Sequence, residues 1–436
     1  MAAPARTGPG GHPMSAPGRR RTGPSGTRRR STLRLRFEEV VPVPFRLPRA
    51  AVAAVAAGAL VLAGCSTERE SPGTGLGAAA DCGGSVAEAF RQQYAQSWRE
   101  AGEAIGLPGL TPVAGTQVCQ IDTGRFAKDR PKKGYRIAFA AQGPTNAWAT
   151  TNEEAFKYRA KQRGAKVLYA SANGDVNKQV DNVQQLVAQR PDALVVVPMG
   201  DAITGQVRAA ASQGIPVVVC SGRLAPGSGA VSTVTRDYEL QGTLWAEWIA
   251  RRIGGRGKIA MLSGIAGVPT AELPKKQAEK IFASKYPGIQ VVAKQNTDWS
   301  ATKAKTVAAQ LLARHPDLKA IWSDSAITDL GVYEAYSQAG KPVPPLTGDV
   351  TNAFLKAVQG KNVPFALSAF PPEQSAQCLD TALDVLAGKK VASQVNVDAA
   401  VFTDEQIARY VRPECSDDLA VPSALPADLL KKLKLC

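Results

Sequence analysis

The chain has only two histidines, His12 and His315. His12 lies in an Arg-, Gly-, Pro- and Ser-rich leader. His315 stands before Pro316-Asp317 at an expected helix end, where a cation suits the dipole. A Ser-His-Asp triad or a histidine metal cluster therefore lacks its parts. GxSxG and a P-loop are absent. Residues 73–78 and 255–260 brush against GxGxxA, but the first lies in a spacer and the second precedes a strand instead of following one, so neither can hold a pyrophosphate. Glu153-Glu154 at a helix start reads as a dipole interaction. None of the seven cysteines has CxxC spacing. The chain reads as a non-enzyme without cofactor or metal.

Its polar and aromatic positions offer recognition instead. Asn146 and Trp148 fall in one loop, Asn173 and Asp175 in a second, Asp201 in a third, and Ser221 and Arg223 in a fourth. A later series supplies Asp298 and Trp299, Asp324 and Ser325, and Asp349. Planar groups that hydrogen-bond at several points, set between aromatic faces, suit a ligand with apolar ring faces and a polar rim, which describes a sugar. Asp201, Asp324 and Asp349 also stand near helix starts, where capping is the alternative use. Trp245, Trp248 and Trp322 lie within regular elements and read as core.

The elements around these residues give them a common address. Residues 134–164, GYRIAFAAQGPTNAWATTNEEAFKYRAKQRG, read as a strand at 136–141, a polar turn, and a helix from Ala147. The unit recurs through strands at 166–170, 193–197 and 217–220. After a strand at 231–234 and a long helix at 238–253, a second series has strands at 258–262, 290–293, 320–323, 346–347 and 365–369. Such β/α units pair their strands in parallel through right-handed crossovers, so the strand C-terminal ends collect on one edge, where ligands bind. The strands are too many for one core, which predicts an α/β fold of two doubly wound parallel-sheet lobes with facing edges. A helix at 373–387 and a strand at 395–397 follow, and the tail from Arg412 wraps the body. Ahead of the lobes, Phe90, Tyr94 and Trp98, four apart, predict a helix over 86–104 packed on the main body.

The net charge of +16 is unevenly placed: residues 1–64 hold eleven Arg, no Lys and two Glu, a balance of +9 that leaves +7 for the rest. A leader and a mildly basic surface account for this, so no nucleic-acid partner is expected. Residues 1–40 read as a disordered basic leader, untranslated if translation starts, as expected, near Val41 or Val43. Arg46 and Arg49 then precede fourteen mostly apolar residues, 50–63, about 21 Å as a helix and short of the roughly 30 Å hydrocarbon core. Residues 41–65 thus read as a signal peptide. The small residues before Cys65 resemble the bacterial lipobox, which implies acylation of Cys65 and a membrane tether. Residues 66–81 read as a flexible spacer. Six cysteines remain; they allow fifteen pairings, among which the sequence does not choose. Cys82–Cys119 is favoured, since both lie in a segment with little core of its own.

From about Tyr135 to Val401 the sequence resembles the type I periplasmic binding proteins of sugar ABC importers, most nearly the ribose-binding group. The resemblance rests on IAFAAQGPTNAWAT, DNVQQLVAQRPDALVVVP, QGIPVVVCSGR, LSGIAG, LLARHPDLKAIWSD and VLAGKKV. It implies two lobes joined by a three-crossover hinge near Arg236–Asp237, Ala369–Phe370 and Asp398–Ala399. Lobe 1 would comprise residues 134–236 and 370–398, and lobe 2 residues 237–369 and 399–415, with an N-terminal extension at 82–133 and a C-terminal tail at 416–436. It also implies ligand contacts from Asn146 and Trp148, an aromatic cover from Trp299 and a hydroxyl-binding carboxylate from Asp349. Where the ribose-binding pattern has an Asp-Arg pair, this chain has Ser221-Gly222, with Arg223 following. An Arg of the pattern is Pro274, with Glu272 and Lys275 nearby; an Asn is Ser325; and a Gln is Ala369, beside Phe370. A larger or less polar sugar, or another small polar solute, fits these departures better than ribose. The expected ligand-binding set is Asn146, Trp148, Ser221, Arg223, Trp299, Ser325, Asp349 and Phe370. The chain reads as a monomeric, lipid-anchored solute receptor serving an ABC permease; the alternative is a ligand-sensing effector on the same fold, without transport.

Overall fold

Apolar runs closed by polar turns become strands, and capped amphipathic runs between them become helices. The computed structural model describes residues 80–436, apart from residues 115 and 398 and the side chain of Val86. The basic leader, the apolar stretch, Cys65 and most of the spacer lie outside the described residues. The spacer's end differs from the flexible coil expected, because Ala80–Asp81 pairs as a strand.

The chain opens with β1 (Ala80–Asp81), α1 (Ser85–Ala104) and β2 (Gln120–Ile121). The first β/α series is β3 (Arg136–Ala141), α2 (Ala147–Arg163), β4 (Lys166–Ser171), α3 (Val176–Ala188), β5 (Ala193–Val196), α4 (Thr204–Ser212), β6 (Val217–Cys220) and β7 (Ser232–Thr235). The second is α5 (Tyr238–Arg252), β8 (Arg256–Ser263), α6 (Pro269–Lys285), β9 (Gly288–Asn296), α7 (Ala301–Arg314), β10 (Ala320–Ser323), α8 (Ala326–Gln338), β11 (Leu346–Gly348), α9 (Asn352–Val358) and β12 (Phe365–Ser368). The chain ends with α10 (Gln374–Leu386), β13 (Val391–Ala392), β14 (Gln394–Asn396), β15 (Val401–Thr403), α11 (Ile407–Tyr410) and α12 (Ala427–Lys432).

The strands form two six-stranded sheets, ordered β14-β7-β6-β5-β3-β4 and β15-β12-β11-β10-β8-β9. All pairings are parallel except β12–β15. The inner strands of both sheets are buried on two faces, which is why they are near-continuous apolar runs such as Val217–Cys220. The chain passes between the lobes after β7, after β12 and after β14. The passages are tied together, with Val397 N–H donating to Thr235 O at 3.0 Å and Ala369 N–H to Ala400 O at 2.8 Å.

Two further segments span both lobes. α1 buries Tyr94 and Trp98 against Leu240, Leu244 and Trp245 of α5 on the second lobe. Meanwhile β1, β2 and β13 form a small sheet beside the first lobe. A disulfide, Cys82–Cys119, links these parts. The tail is anchored to the second lobe by the Asn352 amide, which donates to Arg412 O and Ser416 O, and by a Cys415–Cys436 disulfide. It reaches the first lobe through Tyr158 Oη, which donates to Asp428 at 2.9 Å, and through the Lys432–Glu154 ion pair at 2.6 Å. The third disulfide, Cys220–Cys378, lies inside the first lobe. Among the described residues, no helix is long and apolar enough to cross a membrane.

Candidate functional site

The turn after β3 delivers Asn146 to the start of α2, where its Oδ1 accepts from Ala149 N–H at 2.9 Å. This N-cap fixes the first helical turn and so the position of Trp148. The Trp148 indole stacks on Phe370, with centroids 4.7 Å apart and planes at 14°. Its Nε1 donates to Phe370 O at 2.7 Å, so α2 is bonded directly to the second passage between the lobes. One turn on, buried Asn152 donates from Nδ2 to Ser221 Oγ at 3.1 Å and to Pro372 O at 2.8 Å. Ser221 is thus a partner of Asn152, in a loop where the next residue must be glycine: a Cβ on Gly222 would lie 2.8 Å from Pro198 Cγ. Arg223 is committed to Glu239, which accepts from both its Nη atoms at 2.6 and 2.9 Å.

The facing lobe contributes carboxylates and a second indole. The Trp299 indole takes the space beside Gly264, where a Cβ would come within 1.9 Å of its ring. Its Nε1 donates to Asp324 Oδ1 at 3.2 Å, and Gly264 N–H donates to Asp324 Oδ2 at 2.9 Å. Asp349 accepts from Ala326 N–H at 2.8 Å, and Ser325 caps α8 by accepting from Ile327 N–H. Glu272 and Lys275, nearby in sequence, pair with each other at 2.8 Å.

Arg236, in the first passage, brings the two halves together. It is 5 % exposed; its guanidinium lies 3.9 Å from the Phe370 centroid and within electrostatic reach of Asp349 and Asp324. Burial lowers its pKa, while those two carboxylates hold it up. Burial pushes the Asp324 carboxyl up to about 7 against the Gly264 N–H, and the charge of Asp349 adds to the rise. Desolvation also raises Asp349, opposed by Arg236. The arrangement is an aromatic stack, a buried cation and two carboxyls that can accept or donate hydrogen bonds, with a second indole alongside. It can grip a polyhydroxylated ring by its faces and its rim.

Sequence reasoning names Trp148, Phe370, Trp299, Ser325 and Asp349, and the structure puts them on the edges that converge at Arg236. Asn146 is exposed and works as a cap, and Arg223 works as a strut. Asn152 and Arg236 escaped the sequence-based set; the one signal for Arg236 is a lone cation in the otherwise uncharged run 231–236. One grouping with metal-ligand chemistry among the described residues, Glu414 with Cys415 and Cys436, has its two sulfurs joined.

Two facing parallel-sheet lobes with a three-passage hinge and a polar, aromatic cleft define a solute-binding scaffold. A family model described as a periplasmic binding protein domain matches residues 137–390, more than half of the chain, and the chain belongs to that family. A ribose import binding protein from Bacillus subtilis is 28% identical over 291 residues, covering 66% of this chain and 94% of the relative. A xylitol-binding protein from Mycolicibacterium smegmatis is 28% identical over 251 residues, covering 57% and 68%. The periplasmic binding component of the arabinose ABC transporter from Shewanella sp. ANA-3, solved with bound arabinofuranose, is 26% identical with a TM-score of 0.57, covering 63% and 93%.

Proposed function

We propose that this protein captures a sugar or polyol between its lobes outside the cytoplasm and delivers it to an ABC import permease. The observation that carries the reading is the convergence on Arg236 of the Trp148–Phe370 stack from one lobe and of Asp324 and Asp349 from the other. A ligand held by both sets binds the closed arrangement better than the open one, so its differential affinity drives closure. Trp148, Phe370 and Trp299 supply ring faces, Asp324 and Asp349 bind hydroxyls, and Ser325 and Ser221 fix the loops that present them. The departures from the ribose pattern favour a ligand larger or less polar than ribose. Acylation of Cys65 would tether the receptor through its spacer. A Cys65→Ser variant should then leave the membrane fraction, and retention there would refute the tether.

Thermal-shift screening of residues 82–436 against pentoses, hexoses, polyols and nucleosides tests the cleft. The expected result is a hit whose stabilisation disappears in Trp148→Ala and in Trp299→Ala. Stabilisation kept by both variants would overturn the assignment.

A further inference from the structure

Residues 122–136 run across the end of the first lobe that lies opposite the cleft, from the small sheet to the start of β3. The stretch holds six Lys or Arg and two Asp, a balance of +4, more than half of the +7 carried by everything after residue 64. Its course is fixed by contacts with neighbouring backbone. Lys128 N–H donates to Leu386 O, at the end of α10, at 2.9 Å, and Arg130 Nη2 donates to Arg163 O, at the end of α2. Arg136 opens β3 beside Lys166, its register partner at the start of β4, and its Nη1 donates to Arg190 O at 3.4 Å. Parallel pairing gathers these strand starts on the edge away from the one where ligands bind.

The charge on this edge is exposed and little compensated. Lys132, Lys133, Arg136, Lys166 and Arg190 are exposed and enter no ion pair among the described residues. The nearby carboxylates are already engaged: Asp192 accepts from Arg136 N–H at 2.8 Å and pairs with Lys128 at 3.5 Å, and Asp380 pairs with Arg163 at 3.2 Å. The helix dipole accounts for Lys161 and Arg163 in the last turn of α2. It does not account for Lys132 and Lys133, in a turn, or for Arg136 and Lys166, at strand starts.

The chain outside the described residues joins the same end of the molecule. Ala80 pairs with Ile121, the residue before Asp122. Fourteen residues, 66–79, separate it from Cys65. A flexible coil of that length averages about 20 Å, so a membrane tether at Cys65 keeps this edge within reach of lipid headgroups. We propose that the basic edge of the first lobe is a docking surface for an anionic lipid bilayer, whose phosphates its Lys and Arg side chains bind. The inference rests on the proposed tether for the nearness of the membrane. The six residues of β3 rise about 20 Å, so a receptor seated on this edge holds its ligand-binding edge clear of the headgroups.

The test is co-sedimentation of residues 80–436 with vesicles of equal parts phosphatidylglycerol and phosphatidylcholine, or of phosphatidylcholine alone. This piece keeps every core and disulfide described and omits both Cys65 and the Arg-rich leader. It should pellet with the anionic vesicles only, and stay in solution in about 1 M salt, where the Debye length is about 3 Å. Lys132→Glu/Lys133→Glu/Lys166→Glu should weaken binding tenfold or more while the melting transition stays cooperative. The same change of charge on exposed positions of the second lobe, Lys280→Glu/Lys341→Glu/Lys361→Glu, should leave binding within twofold. No pelleting with anionic vesicles at low salt, equal weakening by both triple variants, or binding of inorganic polyphosphate without binding of vesicles would overturn the proposal. Membranes for the Cys65→Ser fractionation are washed in the same high salt, so that this surface cannot hold the variant there and the two readings fail separately.

Discussion

Gly264, the first residue after β8, has no side chain because the Trp299 indole takes that space. A Gly264→Ala substitution must push the indole off the Asp324 carboxylate. Ligand affinity should fall about tenfold or more, about 1.4 kcal/mol, with the fold retained; calorimetry against the identified ligand checks this. Asp324 argues a pH effect at the same scale. Its pKa is higher in the fold than the ordinary 3.8, so its proton is bound more tightly in the folded state. The stability it contributes is complete below about pH 4 and is lost as the pH rises through about 7, by an amount on the order of 2–4 kcal/mol. Ligand-free Asp324→Asn should therefore lose less melting temperature than the parent between pH 4 and pH 7, and parallel curves would sink this reading. Trp299 is legible in sequence because an aromatic in a polar turn has no strand face to occupy, and Trp148 because it closely follows the polar turn that opens α2 on the binding edge. Arg236 is not legible, since its role depends on Phe370, which the fold brings to it from 134 positions further along the chain.

At the scale of elements, α1 is held by an unusual anchor. The Asp237 carboxylate is buried, caps α5 through Leu240 N–H, and also accepts from Tyr94 and Trp98. Removing one donor leaves a buried acceptor short of a partner, so Tyr94→Phe should destabilise by about 1–3 kcal/mol, read from the urea midpoint. A change within 0.3 kcal/mol would mean that α1 does not depend on this bond. The i, i+4 spacing of Phe90, Tyr94 and Trp98 makes this helix readable from sequence, and α5 matches its expected span to within a residue. β13 and β15 are not readable in the same way. Strands of two or three residues carry too little periodicity, and they exist because β2 and β12 offer them an edge.

Across the whole molecule, the tail makes contacts that composition does not foretell. Leu419, Val421, Leu425, Leu429 and Leu435 complete the second lobe's core, and partly buried Tyr158 of the first lobe packs against the same cluster. Leu429 is 1 % exposed, so Leu429→Ala should cost about 2–5 kcal/mol, visible as a lower denaturation midpoint; a neutral result would mean that the segment does not pack. The repeated β/α rhythm makes two lobes and their facing edges legible. The docking sites of the straps formed by residues 82–133 and 416–436 are not: the stripe of α1 and the leucines of the tail announce burial, but their partners exist only on a finished surface.

Cys220 and Cys378 are 158 residues apart, and the chain between them includes five of the six strands of the second sheet. The bond turns that whole excursion into a covalent hoop closed at its base in the first lobe. A protease that nicks the backbone once anywhere on the hoop releases nothing. The cut protein should migrate as one species on a denaturing gel until a thiol is added, and only then separate into two bands.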